Sequence, residues 1–593
     1  MTCLLPIVLF AAVLPAVGTD AWEVPELASP DAARLTGAWG AAQARSANRM
    51  AAPPVDQPGF ILDDVALKQH RKFIEWSGDI SGRWIGAAAF LRPQYPKPFA
   101  ALPEILAAIP ACQKGDGHFG ADQDLRSIRH GRDLPILWGN GRLLIGLVEA
   151  YEQTGDRKSL EAAKKLGDYY IATDPLLDKR ENLRVVNSYA ESFVTCYFSG
   201  IEGLVALGRV TKDRRYLDQG RRIAELALCV EDFNGLHSHG RLCAVRAFAD
   251  LYDVTGDRHW LEAAERDWTT FMERYRLPTG GIKEVLDAKC NRDEGCTECD
   301  WLRLNLSLWR LTGKGRYLDE AERCLKGHFH YQQFPNGGAG HRLFHQIDGQ
   351  PVAFASLSEE AWWCCAEHWA RATADIARFA VTGGPQGPSI NLAIDCESKV
   401  AGPGGQWKVI LKETEDGLYI TLQSPSPTKA TVCIHRPAWA AQAAGIVAPT
   451  GLAVQKAPEA WTIEGFWVGQ QTVTVHLPTV LRSEPAAGGG VLLRGHDLLA
   501  AHRLPCNAWL MQKLPGARPV VLWSAAMPAT DGRVVVPASL AADADPKRPE
   551  QWKRLELAPL RALTGLPHEA AWFSFRLRAV SHEEIRALMA QLP

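Results

Sequence analysis

"LIGLVEAYEQTGDRKSLEAAKKLGDYY", residues 144–170, decides the fold. Apolar residues recur at helical spacing from Leu144, break at Thr154-Gly155-Asp156, and resume from Leu160. Glycine there can end one helix in the left-handed conformation, and aspartate can cap the next. The unit is a helical hairpin. It returns as "IEGLVALGRVTKDRRYLDQGRRIAELA" from Ile201, "AVRAFADLYDVTGDRHWLEAAERDWTTF" from Ala244 and "LRLNLSLWRLTGKGRYLDEAERCLKGHF" from Leu302. The turn threonines Thr154, Thr211, Thr255 and Thr312 are 57, 44 and 57 residues apart. Stacked hairpins of this length form an open solenoid or a closed toroid. "PFAALPEILAAIPACQ" upstream and the helix after Cys365 bring the count near six pairs. That number favours closure into an (α/α)6 barrel with a pocket at its mouth.

After Val381 the pattern changes. A Gly/Pro linker, "TGGPQGPSINLAID", leads into short alternating segments: "QWKVILKET", "GLYITLQS", "KATVCIHRPAW", "QTVTVHLP" and "GGGVLLRG". Alternation between turn residues predicts a β-sandwich. A further β region carries "RPVVLW", "GRVVVPASL" and "AAWFSFRLRAV" and ends in a short helix, "SHEEIRALMAQL". The expected architecture is multidomain: a barrel over 22–380, a β-sandwich over 381–510 and a second β-rich region over 511–593. Residues 1–21, with an apolar run from Cys3 to Val17, read as a secretory signal peptide, which implies a secreted or periplasmic protein.

The chain has 593 residues, 47% hydrophobic, with a net charge of −2. No basic stripe points to nucleic acid, and no later segment reaches 18 consecutive apolar residues, so no membrane span is expected. Twenty tryptophans are many. Most should fill cores, and a few in a cleft would suit the C–H faces of sugar rings. The expected partner is a carbohydrate, and a homodimer is compatible with the sequence.

Fourteen cysteines form no small stapled framework. Several lie inside helical patterns and read as buried thiols. A denser set stands apart. Cys296 and Cys299 are spaced C-x-x-C in "DEGCTECDW", and Cys364 and Cys365 are adjacent in "WWCCAEHWAR". Thiolates in such a set suit Zn²⁺. Adjacent residues on a helix diverge by about 100°. Cys364 and Cys365 can therefore face one ion only where a helix begins, a position that also lowers thiol pKa.

These motifs resemble glycoside hydrolase family 127, whose characterised members include β-L-arabinofuranosidases. Glu294-Gly295-Cys296 matches the family's Glu-x-Cys motif, and Cys364-Cys365 its later cysteine pair. "GKGRYLDEAER", "CQKGDGHFG" near Gln113, "IHRPAWA" and "FWVGQQTVTVHLP" extend the resemblance from about Pro98 to His502. The resemblance implies an (α/α)6 barrel followed by β-sandwich domains. It implies Zn²⁺ on Glu294, Cys296, Cys364 and Cys365, and a retaining reaction with Cys364 as nucleophile. The family's acid follows a "TGG" turn, which here points to Glu284 after Thr279-Gly280-Gly281, on a shorter loop. Cys299 is an additional cysteine and an alternative fourth ligand. Where the family usually has Gly-His-Leu, this chain has Gly141-Arg142-Leu143, which points to a different, acidic sugar. Trp138, Asn140, Arg142, His237 and His239 are expected to contact the substrate. His328, His330 and His341 are weaker candidates, and Trp362 or Trp363 is expected in the core. Two other readings stay open: a non-catalytic carbohydrate-binding protein with a structural zinc, and a lyase or unsaturated-uronyl hydrolase on the same toroid.

Overall fold

The computed structural model describes residues 22–68, 74–122, 124–125, 133–440, 444–477, 480–512, 518–529, 532–564 and 570–581, with positions 583, 584, 588, 590 and 591. The expected leader and half of the expected C-terminal helix lie outside the described residues.

Each repeat turn is built by the same atoms. Thr154, Thr211, Thr255 and Thr312 each donate Oγ1 to the carbonyl four residues back at 2.6 Å. Each hydroxyl also accepts the backbone N–H two residues on. The next residue is left-handed: Gly155, Lys212, Gly256 and Gly313, at φ 61–73°. Asp156, Asp213 and Asp257 then cap the following helix through their carboxylates. The fourth turn has Lys314 at that place, with no side-chain cap.

Six helices form the inner ring: Asp79–Leu91, Pro135–Thr154, Gly200–Thr211, Ser238–Thr255, Gly295–Thr312 and Cys365–Ala380. Each packs on the next, and Cys365–Ala380 packs back on Asp79–Leu91. The toroid is therefore closed. An outer helix backs each inner one, such as Arg157–Leu177 behind Pro135–Thr154 and Gly37–Arg49 behind Cys365–Ala380. Gly82 and Gly146 let two inner helices touch, since a Cβ on Gly146 would lie 2.3 Å from the Gly82 carbonyl oxygen. Aromatic rings fill the space between helix layers. Trp301 is fully buried, with its ring near parallel to Trp268 at a 6.2 Å centroid distance. Truncation of so large a side chain leaves a cavity, so Trp301→Ala should cost about 3–5 kcal/mol in chemical denaturation.

Two six-stranded sheets make the sandwich. One runs, in spatial order, 26–27, 381–383, 389–390, 428–435, 460–467 and 453–456, and the other 445–447, 470–476, 417–423, 405–414, 396–402 and 33–35. The N-terminal strands thus join the sandwich before the barrel begins. Alternate residues face inward, as in Cys396–Gly402, and Trp407 meets Trp467 edge-on across the core at 5.8 Å. Strands 481–486, 489–494 and 497–500, including "GGGVLLRG", belong instead to a separate eight-stranded sheet with 520–522, 527–528, 534–539, 553–559 and 576–578. Alternation reveals a strand but not its sheet. A hairpin, Gly340–Ile347 and Gln350–Glu360, precedes the cysteine pair and joins Ala571–Trp572 in a small sheet.

All thirteen cysteines among the described residues are free, so no disulfide staples this fold. One helical stretch among them, Phe193–Thr211, is long and apolar enough to cross a membrane, and 89% of it is buried inside the protein.

Candidate metal and catalytic site

Two helix starts meet at one end of the barrel. Glu294 is the extended N-cap of Gly295–Thr312, and Cys296 is that helix's second residue. Cys364 is the N-cap of Cys365–Ala380. Because Cys364 stands outside the helical turn, its sulfur can face the same point as that of Cys365, the geometry that adjacent cysteines require. Ligand atoms of Glu294, Cys296, Cys364 and Cys365 all lie within 4.8 Å of one another. Cys296 Sγ is 3.5 Å from Cys365 Sγ, which is 3.6 Å from Cys364 Sγ. Tetrahedral Zn–S bonds would separate sulfurs by about 3.8 Å. Three sulfurs and a carboxylate at these spacings fit a divalent metal ion. Cys299 lies outside the group: one turn further along its helix, it is displaced by about 4.5 Å along the axis.

Burial and charge divide the group. Cys296 and Cys365 are fully buried, and burial pushes both thiols up. Cys364 keeps 8% of its surface. Its thiol is held well below the usual value, because hydrogen bonds from Cys296 and Cys365, helped by Arg83, outweigh burial. Burial would raise the Glu294 carboxyl, but His237, which donates from Nε2 at 2.9 Å, holds it well below the carboxylate range, with help from His239 and His341.

Glu284 lies beside the group: ligand atoms of His237, Glu284 and Glu294 fall within 4.8 Å. Tyr189 donates its hydroxyl to Glu284 Oε1 at 2.9 Å. Arg292 grips both Glu284 oxygens and also donates to the Tyr189 hydroxyl at 2.8 Å. The loop carrying Glu284 is pinned from below. Thr279 Oγ1 donates to His328 Nδ1 at 2.7 Å, and His328 Nε2 donates to Asp293 Oδ2 at 2.6 Å. Glu298 accepts the Ile282 N–H at 3.1 Å. Burial, aided by Asp293, pushes the Glu298 carboxyl up to about 8 despite His328.

The expected sugar contacts divide sharply. His237 adjoins Glu294 and Glu284. His341, held by the Asp293 carbonyl at 3.0 Å, is drawn to higher pKa by Glu294 and Glu284 against the effect of its burial. Trp362 and Trp363, next to the cysteine pair, are half-buried and meet edge-on at 5.4 Å. The others work inside the wall. Asn140 is fully buried, with its amide spent on Phe119 and Ser77 backbone. Arg142 is buried and paired with Glu202 at 3.3 Å, so it offers no cation to an acidic sugar. Trp138 donates to Asp79 at 2.9 Å, and His239 donates Nδ1–H to Asp300 at 2.6 Å. His328 and His330 are buried, His328 under the Glu284 loop. Tyr189, Arg292 and Arg83 escape sequence reasoning because none sits in a motif, and Asp300, directly after Cys299, because nothing in the motif marks it. The one available signal is the placement of Tyr189 and Arg292 in loops that immediately precede inner helices.

A family model described as β-L-arabinofuranosidase, GH127 catalytic domain, matches residues 40–378. Among solved structures, a GH127 β-L-arabinofuranosidase from Geobacillus stearothermophilus T6 has a TM-score of 0.69 at 15% identity, over 92% of this chain and 100% of that one. A second solved GH127 β-arabinofuranosidase also has a TM-score of 0.69 at 15% identity, over 93% and 98%. At that identity the likeness is one of fold. A comparison with curated proteins finds no match. The family match spans more than half of the chain, from the first barrel helix to the helix that opens on the cysteine pair, and the chain belongs to glycoside hydrolase family 127.

Proposed function

We propose that this protein is a retaining exo-glycosidase of β-L-arabinofuranosidase type, acting on plant or algal glycans with Cys364 as nucleophile. The observation that carries this reading is the buried group of Glu294, Cys296, Cys364 and Cys365, in which Cys364 is the one sulfur that keeps exposed surface. Those four residues would hold Zn²⁺, which when bound keeps the thiolates deprotonated at neutral pH. Cys364 Sγ attacks the anomeric carbon as Glu284 gives a proton to the departing oxygen. The sugar is then joined to sulfur. A water attacks the same carbon, Glu284 takes its proton, and the thiolate leaves, so two inversions give net retention. His237 holds Glu294 in place, and Arg292 with Tyr189 fixes the plane of the Glu284 carboxylate.

One observation favours a second reading, a non-catalytic carbohydrate-binding protein whose metal staples the barrel. Both Glu284 oxygens are already engaged by Arg292 and Tyr189. A panel of glycosides that includes β-L-arabinofuranosides separates the two. Glu284→Gln should lower kcat/KM by about 10²–10⁴-fold on an alkyl arabinofuranoside. On a nitrophenyl one, whose leaving group needs no proton, the loss should be far smaller. Equal losses on both would remove Glu284 from the acid role, and binding without turnover across the panel would support the second reading.

A further inference from the structure

Beneath the sulfurs lies a cation that the proposed chemistry does not use. Arg83, on the inner helix Asp79–Leu91, is buried, and its guanidinium is spent on four partners. Nε donates to Asp79 Oδ1 at 2.7 Å. NH2 donates to His239 Nε2 at 2.9 Å. NH1 donates to His368 Nδ1 at 2.8 Å and points at Cys296 Sγ at 3.5 Å. Among the described residues, Arg83 is the guanidinium that reaches a sulfur of the group.

The two imidazoles can accept from Arg83 because their other nitrogens face Asp300. His239 Nδ1 donates to Asp300 Oδ2 at 2.6 Å, and His368 Nε2 lies 3.1 Å from Asp300 Oδ1. Arg246 holds Asp300 in turn, at 2.7 Å. Trp138 shares Asp79 Oδ1 with Arg83 and closes the other side. The fork therefore has one orientation, with one N–H fixed toward sulfur. A buried guanidinium is costly unless its charge is answered. Three thiolates and a carboxylate around a divalent ion carry two uncompensated negative charges, and His237 addresses the Glu294 side alone.

We propose that Arg83 is a positioning residue for the thiolate group: it binds Cys296 sulfur, offsets the charge of the loaded site, and leaves Cys364 as the sulfur free to react. This rests on the reading that the four residues hold a divalent metal. A hydrogen bond to a metal-bound sulfur draws electron density from it, and groups of this kind set metal affinity by about 10–100-fold.

The test is a competition titration of Zn²⁺ against a chromophoric chelator, with the full chain, Arg83→Met, Arg83→Lys and Trp301→Ala. Arg83→Met should bind Zn²⁺ about 10–100-fold more weakly. Arg83→Lys, which keeps the charge and loses the fork, should fall between it and wild type. In Co²⁺-loaded protein, the thiolate-to-metal absorption band should move in the Arg83 variants and stay in place in Trp301→Ala, whose side chain gives up packing and one hydrogen bond to Glu320. Wild-type affinity and an unmoved band in whichever Arg83 variant folds would overturn the proposal alone. A wild-type protein that binds no divalent metal would sink both it and the reading beneath it.

Discussion

Cys364→Ala should abolish glycoside turnover, with a loss of about 10⁴–10⁶-fold in kcat, the range seen when a covalent nucleophile is deleted. The expectation follows from position as much as from chemistry. Cys296 and Cys365 have no exposed surface and cannot reach a sugar, whereas Cys364 keeps 8% and carries the most acidic thiol of the three. Cys364 sits at a helix N-cap with no side-chain capping bond to lose, so any loss of stability in the variant should come from the missing sulfur at the metal group. Folding is checked by thermal melting. A second measurement removes ambiguity: wild type quenched during slow turnover should gain the mass of one dehydrated sugar on the peptide bearing Cys364. Full turnover in the alanine variant, or a sugar found on a carboxylate instead, would end the cysteine-nucleophile reading.

Stripping the protein of divalent metal should cost all activity and lower Tm by about 5 °C, with both restored by one equivalent of Zn²⁺. The stability change follows from mass action: a ligand at 1,000 times its Kd adds about 4.1 kcal/mol to the folded state. In a barrel of this size, with about 2.1 cal/mol/K of unfolding entropy per residue, each kcal/mol moves Tm by about 1.3 °C. The physical cause is local. Without an ion, Glu294 and three sulfurs crowd within 4.8 Å inside the protein, and the starts of two inner helices lose the link between them. Removal should be easier in acid, because thiolates and carboxylate must be deprotonated to bind. A metal-free protein, verified by elemental analysis, that keeps its rate would sink the cofactor assignment. One that loses rate but keeps Tm would show an ion that acts without bracing the fold.

Sequence and structure divide the account of this site unevenly. Glu294, Cys296, Cys364 and Cys365 were legible because each pair lies within three residues and its chemistry is rare. Arg142 was misleading for a physical reason. A lone arginine in an apolar helix has no sequence mark that tells a pocket cation from one paired across the barrel, and its partner Glu202 is sixty residues away. Tyr189 was illegible for the same reason, since it lies 95 residues from Glu284, whereas Arg292 is eight residues from Glu284 and was missed because loop spacing fixes no geometry. Cys299 repeats the lesson at short range, as its spacing looks like a ligand and one helical turn carries it out of reach.

By itself the sequence determined what is local. Four Thr turns, the helical period on either side, the β alternation after Val381 and the two helix starts that carry Glu294 and the cysteines depend on residues a few positions apart. Only the tertiary structure decided which inner helix closes on which and that the N-terminal strands complete the sandwich. It also decided where the hairpin ahead of the cysteines finds its third strand, and which buried charges answer one another. Each of these depends on segments far apart in the chain, and the packing and charge neutralisation that select them exist only once the ring is closed.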